Sequence, residues 1–185
     1  MASILANRTV AVLGSGTHAH EALASDVGPL LARLGVNLLT GGGGGVMTSV
    51  SRAYVHAPRA RGISIGVLPC ASETDRAHAR EGYPNPYVEL AIRTHLPHSG
   101  TRGTDDLSRN HINVLTADAI VALPGEHGTA SEVLLAVEYG RPIIAYGPAL
   151  ERAVPLDPRV ARAASVAELE ALLTTALGLA DSSIR

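Results

Sequence analysis

The chain alternates between short apolar runs of strand length and longer stretches whose apolar residues recur at helical spacing. TVAVLG (9–14) is the first apolar run, and Leu23, Val27, Leu30, Leu31 and Leu34 then fall near a period of 3.6, which predicts a helix over roughly 20–34. VNLLT (36–40) is the second predicted strand, followed by five glycines and a helix near 46–56 that buries Val46, Met47, Val50 and Tyr54. ISIGVLP (63–69) is the third strand, 70–87 a polar loop rich in Pro and Gly, and YVELAIRTHL (87–96) the fourth strand. A helix near 105–116 is expected to start at Asp105 or Asp106, either a good N-cap. AIVALP (119–124), a helix near 128–139, the strand PIIAY (142–146) and a last helix opened by a Ser165/Glu168 capping box complete the pattern.

Strands that alternate with helices predict an α/β fold with a doubly wound, mostly parallel sheet, and the uniformly apolar strands fit a sheet covered on both faces. The 185 residues are read as a single Rossmann-like domain, with no repeat or linker. Three glycine-rich turns lie at the predicted carboxyl ends of strands, GSGTH (14–18), GGGGGVM (41–47) and PGEHGT (124–129), where ligands of such sheets bind. A glycine turn that opens a helix aims several N–H groups at one point, and the helix dipole favours an anion there. GSGTHA (14–19) is close to a dinucleotide fingerprint, but the second strand ends in Thr40 and Gly41 rather than the acid that fingerprint requires. A single phosphate or a mononucleotide suits these turns better than NAD.

Composition narrows the chemistry. All 15 cationic side chains are Arg, which excludes a lysine Schiff base and a Walker-type P-loop. The net charge of −2, without a basic run, argues against a nucleic-acid partner, and a DNA-processing role is weighed on that ground. No apolar stretch reaches membrane-spanning length, the N-terminus lacks the pattern of a leader, and a cytoplasmic location is expected. Cys70 stands alone and reads as a small apolar filler. His18 with His20, or His95 with His98, would supply two metal ligands each, but nothing completes a set, so neither metal nor resident cofactor is expected.

Two charged residues stand out. Glu132 is expected in the first turn of its helix, where the dipole would help keep it ionised; an ionised carboxylate beside a bound sugar stabilises an oxocarbenium-like transition state. Arg109 lies in SRNHIN (108–113). Leu107, His111, Val114 and Leu115 form the expected apolar side of that helix, so Arg109 is expected to project away from it, as a solvated cation or as a fork for phosphate or for Glu132.

GGGGGVM followed by PGEHGTASE resembles the GGxxGVM and PGGxGTxxE pair of the LOG-type family, which includes cytokinin-activating phosphoribohydrolases, nucleoside 5′-monophosphate nucleosidases and proteins misnamed lysine decarboxylases. NPYVELAI, the Arg109-Asn110 pair and TADAIVALPGEHGTASE are more similar to a sister branch that includes the molybdenum cofactor carrier protein. The resemblance covers roughly 8–147 and implies catalytic roles for Arg109 and Glu132. It implies phosphate binding by Gly42, Gly43, Gly45, Gly125, Gly128 and Thr129, with Ser15 adding a hydroxyl to the pocket. It also implies a homodimer. Two departures are notable: Glu126 replaces the second glycine of PGG, with His127 after it, and the 97–106 loop is long enough for Arg102 to approach a ligand. The reading is a phosphoribohydrolase that splits a nucleoside 5′-monophosphate into base and ribose 5-phosphate. The alternative is a non-catalytic carrier of a nucleotide or of molybdopterin.

Overall fold

The computed structural model describes residues 8–58, 62–147 and 157–179. The N-terminal residues read for a leader fall outside this set through residue 7. Seven parallel strands form one sheet in the order β4-β3-β2-β1-β5-β6-β7. They are β1 Thr9–Leu13, β2 Asn37–Thr40, β3 Ser64–Leu68, β4 Leu90–Arg93, β5 Ala119–Ala122, β6 Ile143–Tyr146 and β7 Ala161–Ala163. The doubly wound α/β architecture expected from the sequence is the one observed. The strand β7 was not foreseen, because three residues, ARA, carry no readable alternation.

Among the described residues five α-helices cover the sheet: α1 Glu21–Leu34, α2 Val46–Val55, α3 Asn110–Thr116, α4 His127–Glu138 and α5 Val166–Ala176. One core lies under α1, α2 and α5, where Val27, Leu30, Leu31, Val50, Tyr54, Leu169 and Leu173 meet Val10, Leu38 and Val121 of the strands. A second, under α3 and α4, joins Val114, Val133 and Leu135 to Leu39, Ile65 and Ile120. Alternate residues of β1, β2 and β5 thus serve opposite cores, which is why those strands read as unbroken apolar runs. Helix α5 starts as expected: the Ser165 hydroxyl accepts the Glu168 N–H at 3.2 Å, while the Glu168 carboxylate takes the Ala164 N–H at 2.7 Å.

The expected start of α3 is corrected. Neither Asp105 nor Asp106 caps it; the helix begins at Asn110, and Asp105 is bound to Arg102 instead. Its apolar side is corrected too, since Leu115 is 45% exposed whereas Asn110, Asn113 and Val114 are buried. A helix of two turns has too few apolar positions for its period to be read reliably.

The sheet reverses direction at β1. β2, β3 and β4 extend to one side, while β5 lies on the other with Leu13 opposite Ala122. The connections after β1 and β5 therefore leave for opposite faces of the sheet, and a crevice lies at the carboxyl ends of these strands. Among the described residues no helix is long and apolar enough to cross a membrane.

Burial gives a direct test of this packing. Leu31→Ala, at a fully buried position, is expected to cost about 2–5 kcal/mol by urea denaturation, and Leu134→Ala, at a residue 55% exposed, less than about 0.5 kcal/mol.

Candidate functional site

A cavity of about 420 Å³ fills the crevice, within the range of small-molecule sites. Its walls are the turn after β1 (Gly14, Gly16, Thr17), Gly41, Tyr83, the Ser99–Thr101 stretch, Arg109 with Asn110, and the start of α4 with Glu132.

The start of α4 is the part of this wall best suited to an anion. Its N-cap residue, Glu126, makes no side-chain cap, and the first helical bond runs from the Ala130 N–H to the Glu126 carbonyl at 3.0 Å. Among the described residues no acceptor meets the N–H groups of His127, Gly128 and Thr129, which remain the donors of the first turn. The Thr129 hydroxyl, 2% exposed, has no hydrogen-bond partner among the described residues. Gly125 makes this turn possible, since a Cβ there would lie 2.0 Å from Thr129 Oγ1 and 2.7 Å from the Ser15 nitrogen.

The 41–45 turn behaves differently from a phosphate cradle. The Gly42 N–H is donated to Thr40 Oγ1 at 3.1 Å, the Gly43 N–H faces Met47 Sδ at 3.4 Å, and the Val46 N–H goes to the Ser15 carbonyl at 2.9 Å. Gly42, Gly43 and Gly45 do not line the cavity; Gly41 does. The glycines are needed for close approach. A Cβ on Gly41 would sit 2.2 Å from Arg109 Nη1, and one on Gly43 would lie 2.6 Å from the Tyr83 ring. Gly45, at φ 59°, would drive a Cβ to 2.3 Å from the Ser15 carbonyl. The turn is a seat for the Arg109 guanidinium and for Tyr83, whose ring centre lies 5.8 Å from Arg109 Cζ.

Arg109 and Glu132 both line the cavity, and both depart from expectation in detail. Arg109 is not solvated: it is 5% exposed, and Nη1 donates to the Val67 carbonyl at 3.0 Å. Its Nε has no partner among the described residues. Burial lowers its pKa, with the Tyr83 and Glu132 charges pulling the other way. Glu132 lies in the second turn of α4 rather than the first, so the helix dipole does little for it. Its Oε1 accepts the Asn113 amide at 3.0 Å, and no direct ion pair with Arg109 forms among the described residues. Burial raises the Glu132 pKa above its ordinary 4.5; the Asn113 bond and the Arg109 charge pull it down without offsetting that rise. The expectation that its surroundings keep this carboxylate ionised is thus reversed in sign.

The remaining expected residues are placed as follows. The Ser15 hydroxyl does not face the cavity; it is fully buried, accepts the Thr17 and His18 N–H groups and donates to Glu126. Arg102 turns outward to Glu73 at 3.0 Å and Asp105 at 2.9 Å. Cys70 is buried, with Sγ against the Ser72 carbonyl. Two contributors, Tyr83 and Asn113, were missed. Tyr83 sits in a polar loop with no periodicity, and Asn113 was assigned no face.

Known proteins share this fold. The model of the SLOG cluster4 family matches residues 7–172. The molybdenum cofactor binding protein of Rippkaea orientalis is similar at 29% identity and a TM-score of 0.70, over 91% of this chain and 96% of that one. The molybdenum cofactor carrier protein of Chlamydomonas reinhardtii is similar at 26% identity and a TM-score of 0.68, over 93% of this chain and 99% of that one. An uncharacterised protein of Archaeoglobus fulgidus is 28% identical over 141 residues, 75% of this chain and 80% of its own length.

The environment of Glu132 makes a pH-dependent prediction. The folded chain holds this proton to higher pH than the unfolded chain, so stability present below pH 4.5 is lost as pH rises through the raised folded value. Glu132→Gln, which keeps an acceptor for Asn113 and removes the charge, is expected to melt above the wild type at pH 8, with the gap closing toward pH 4. A gap of constant size, or of opposite sign, would contradict this assignment.

Proposed function

The chain belongs to the SLOG cluster4 family, and we propose that it binds, without turnover, a ligand held by one terminal phosphate, the molybdenum cofactor foremost. The observation that carries this reading is the first turn of α4: three free amide donors beside a buried hydroxyl without a partner, opening into the cavity. These are the contacts that a phosphate needs and that no protein group supplies. Gly128 and Thr129 would hold the phosphate, with Gly125 giving the turn its shape. The organic part would lie toward Tyr83, Gly41 and Arg109. The Rippkaea and Chlamydomonas relatives, which bind or carry that cofactor, support the choice of ligand.

Glu132 favours binding over hydrolysis. A carboxylate that stabilises developing positive charge must be ionised, whereas burial disfavours the charged form here and Arg109 Nη1 donates to Val67 rather than to this carboxylate. One observation keeps the phosphoribohydrolase as a second reading: Arg109 and Glu132 line the same cavity, as the catalytic pair of those enzymes would. The homodimer belongs to this proposal as well. Leu115, Leu134 and Tyr139 are the large apolar side chains that the α3–α4 side leaves exposed, and Leu134→Glu is expected to yield monomers by sedimentation if they pair the copies.

Protein purified from a host that makes the cofactor is expected to retain a pterin, detected by fluorescence after oxidation. Thr129→Val is expected to retain roughly tenfold less, for the loss of one hydrogen bond. The same preparations are expected to release no ribose 5-phosphate from AMP, GMP, CMP or UMP. Release that disappears in both Glu132→Gln and Arg109→Ala would overturn the carrier reading in favour of the hydrolase.

A further inference from the structure

Two anion-receptive turns meet at the mouth of the cavity. The Ser15 N–H donates to the Pro124 carbonyl at 3.0 Å, so the turn after β1 touches the turn that opens α4. In the first of these turns the N–H groups of Thr17 and His18 converge on Ser15 Oγ at 3.1 and 2.8 Å. That hydroxyl donates to Glu126 Oε1 at 2.8 Å. The same carboxylate oxygen lies 3.1 Å from His18 Nδ1 and 3.4 Å from Thr17 Oγ1. Three polar side chains are thus gathered on one carboxylate oxygen. Burial raises the Glu126 pKa, but the bonds from Ser15 and His18 more than offset it, and the net direction is down. The carboxylate is charged at neutral pH. The adjoining turn differs, in that Thr129 Oγ1 is 2% exposed and has no partner among the described residues. One anion position is filled by the protein itself and its neighbour is free.

We propose that Glu126 determines specificity: its carboxylate fills the second anion position and restricts the cavity to ligands with a single terminal phosphate, excluding pyrophosphate-bridged dinucleotides. This rests on the phosphate-binding reading given above. A ligand whose phosphate sits on the α4 amides and continues into a second phosphoryl group brings that group against Glu126, where like charges repel. A glycine at this position, as in the PGGxGT pattern, would leave room and donors for both. The departure at residue 126, which otherwise looks unfavourable to anion binding, then narrows the ligand class without cancelling the site.

The test is calorimetric titration of the wild type, Glu126→Gln and Glu126→Gly with inorganic phosphate and with pyrophosphate at fixed ionic strength. The wild type is expected to bind phosphate. The ratio of pyrophosphate to phosphate affinity is expected to rise roughly tenfold in Glu126→Gly and less in Glu126→Gln, a size discounted for a half-exposed charge. An equal ratio in the three proteins overturns the proposal, and so does a gain in phosphate affinity with the ratio unchanged. Failure of the wild type to bind phosphate removes the phosphate-binding reading itself, and the proposal with it. Should Glu126→Gly fail to fold, Glu126→Gln, which keeps the side chain's size and its reach to Ser15, decides the question alone.

Discussion

An α-helix begins with amide hydrogens that have no carbonyl behind them, and something must accept them. In α5 a serine does so; in α4 no side chain does, and the helix instead opens into a cavity with a buried, unpartnered threonine hydroxyl beside it. Much of the surrounding architecture serves to keep that helix end open. The order of the strands reverses at β1, which places the crevice beside the start of α4. Gly125 admits Thr129, and Glu126 directs its carboxylate away toward Ser15 and His18.

The opposite wall shows desolvation deciding an electrostatic question. Arg109 and Glu132 carry opposite charges and border one cavity, and an ion pair would be the simple expectation. Each instead bonds a neutral neighbour, Arg109 Nη1 the Val67 carbonyl and Glu132 Oε1 the Asn113 amide, while Arg109 Nε has no partner among the described residues. At full burial the loss of water outweighs their mutual attraction, so the glutamate pKa rises and that of the arginine falls.

The architecture was legible in the sequence because parallel strands buried on both faces leave long apolar runs, and glycine turns mark their carboxyl ends. Short elements were not: β7 is three residues long and α3 two turns, too little for a period to emerge. The residues at the cavity were partly legible. The family resemblance of the motifs led to Arg109, Glu132, Gly128 and Thr129, all of which line it. The function of Gly41 and Gly43 was not legible, since the need for them comes from Arg109 and Tyr83, which arrive from distant parts of the chain. A run of glycines says that something comes close; only the fold says whether that is a ligand or another side chain.

The central claim is that the first-turn amides of α4 await a phosphate whereas those of Gly42 and Gly43 are already occupied. Amide proton and nitrogen shifts followed by NMR during titration with inorganic phosphate test this most directly. Gly128 and Thr129 are expected to move saturably and together, with Gly42 and Gly43 left in place. Shifts confined to the 41–45 turn, or no saturable shift in residues 127–129, would contradict the account.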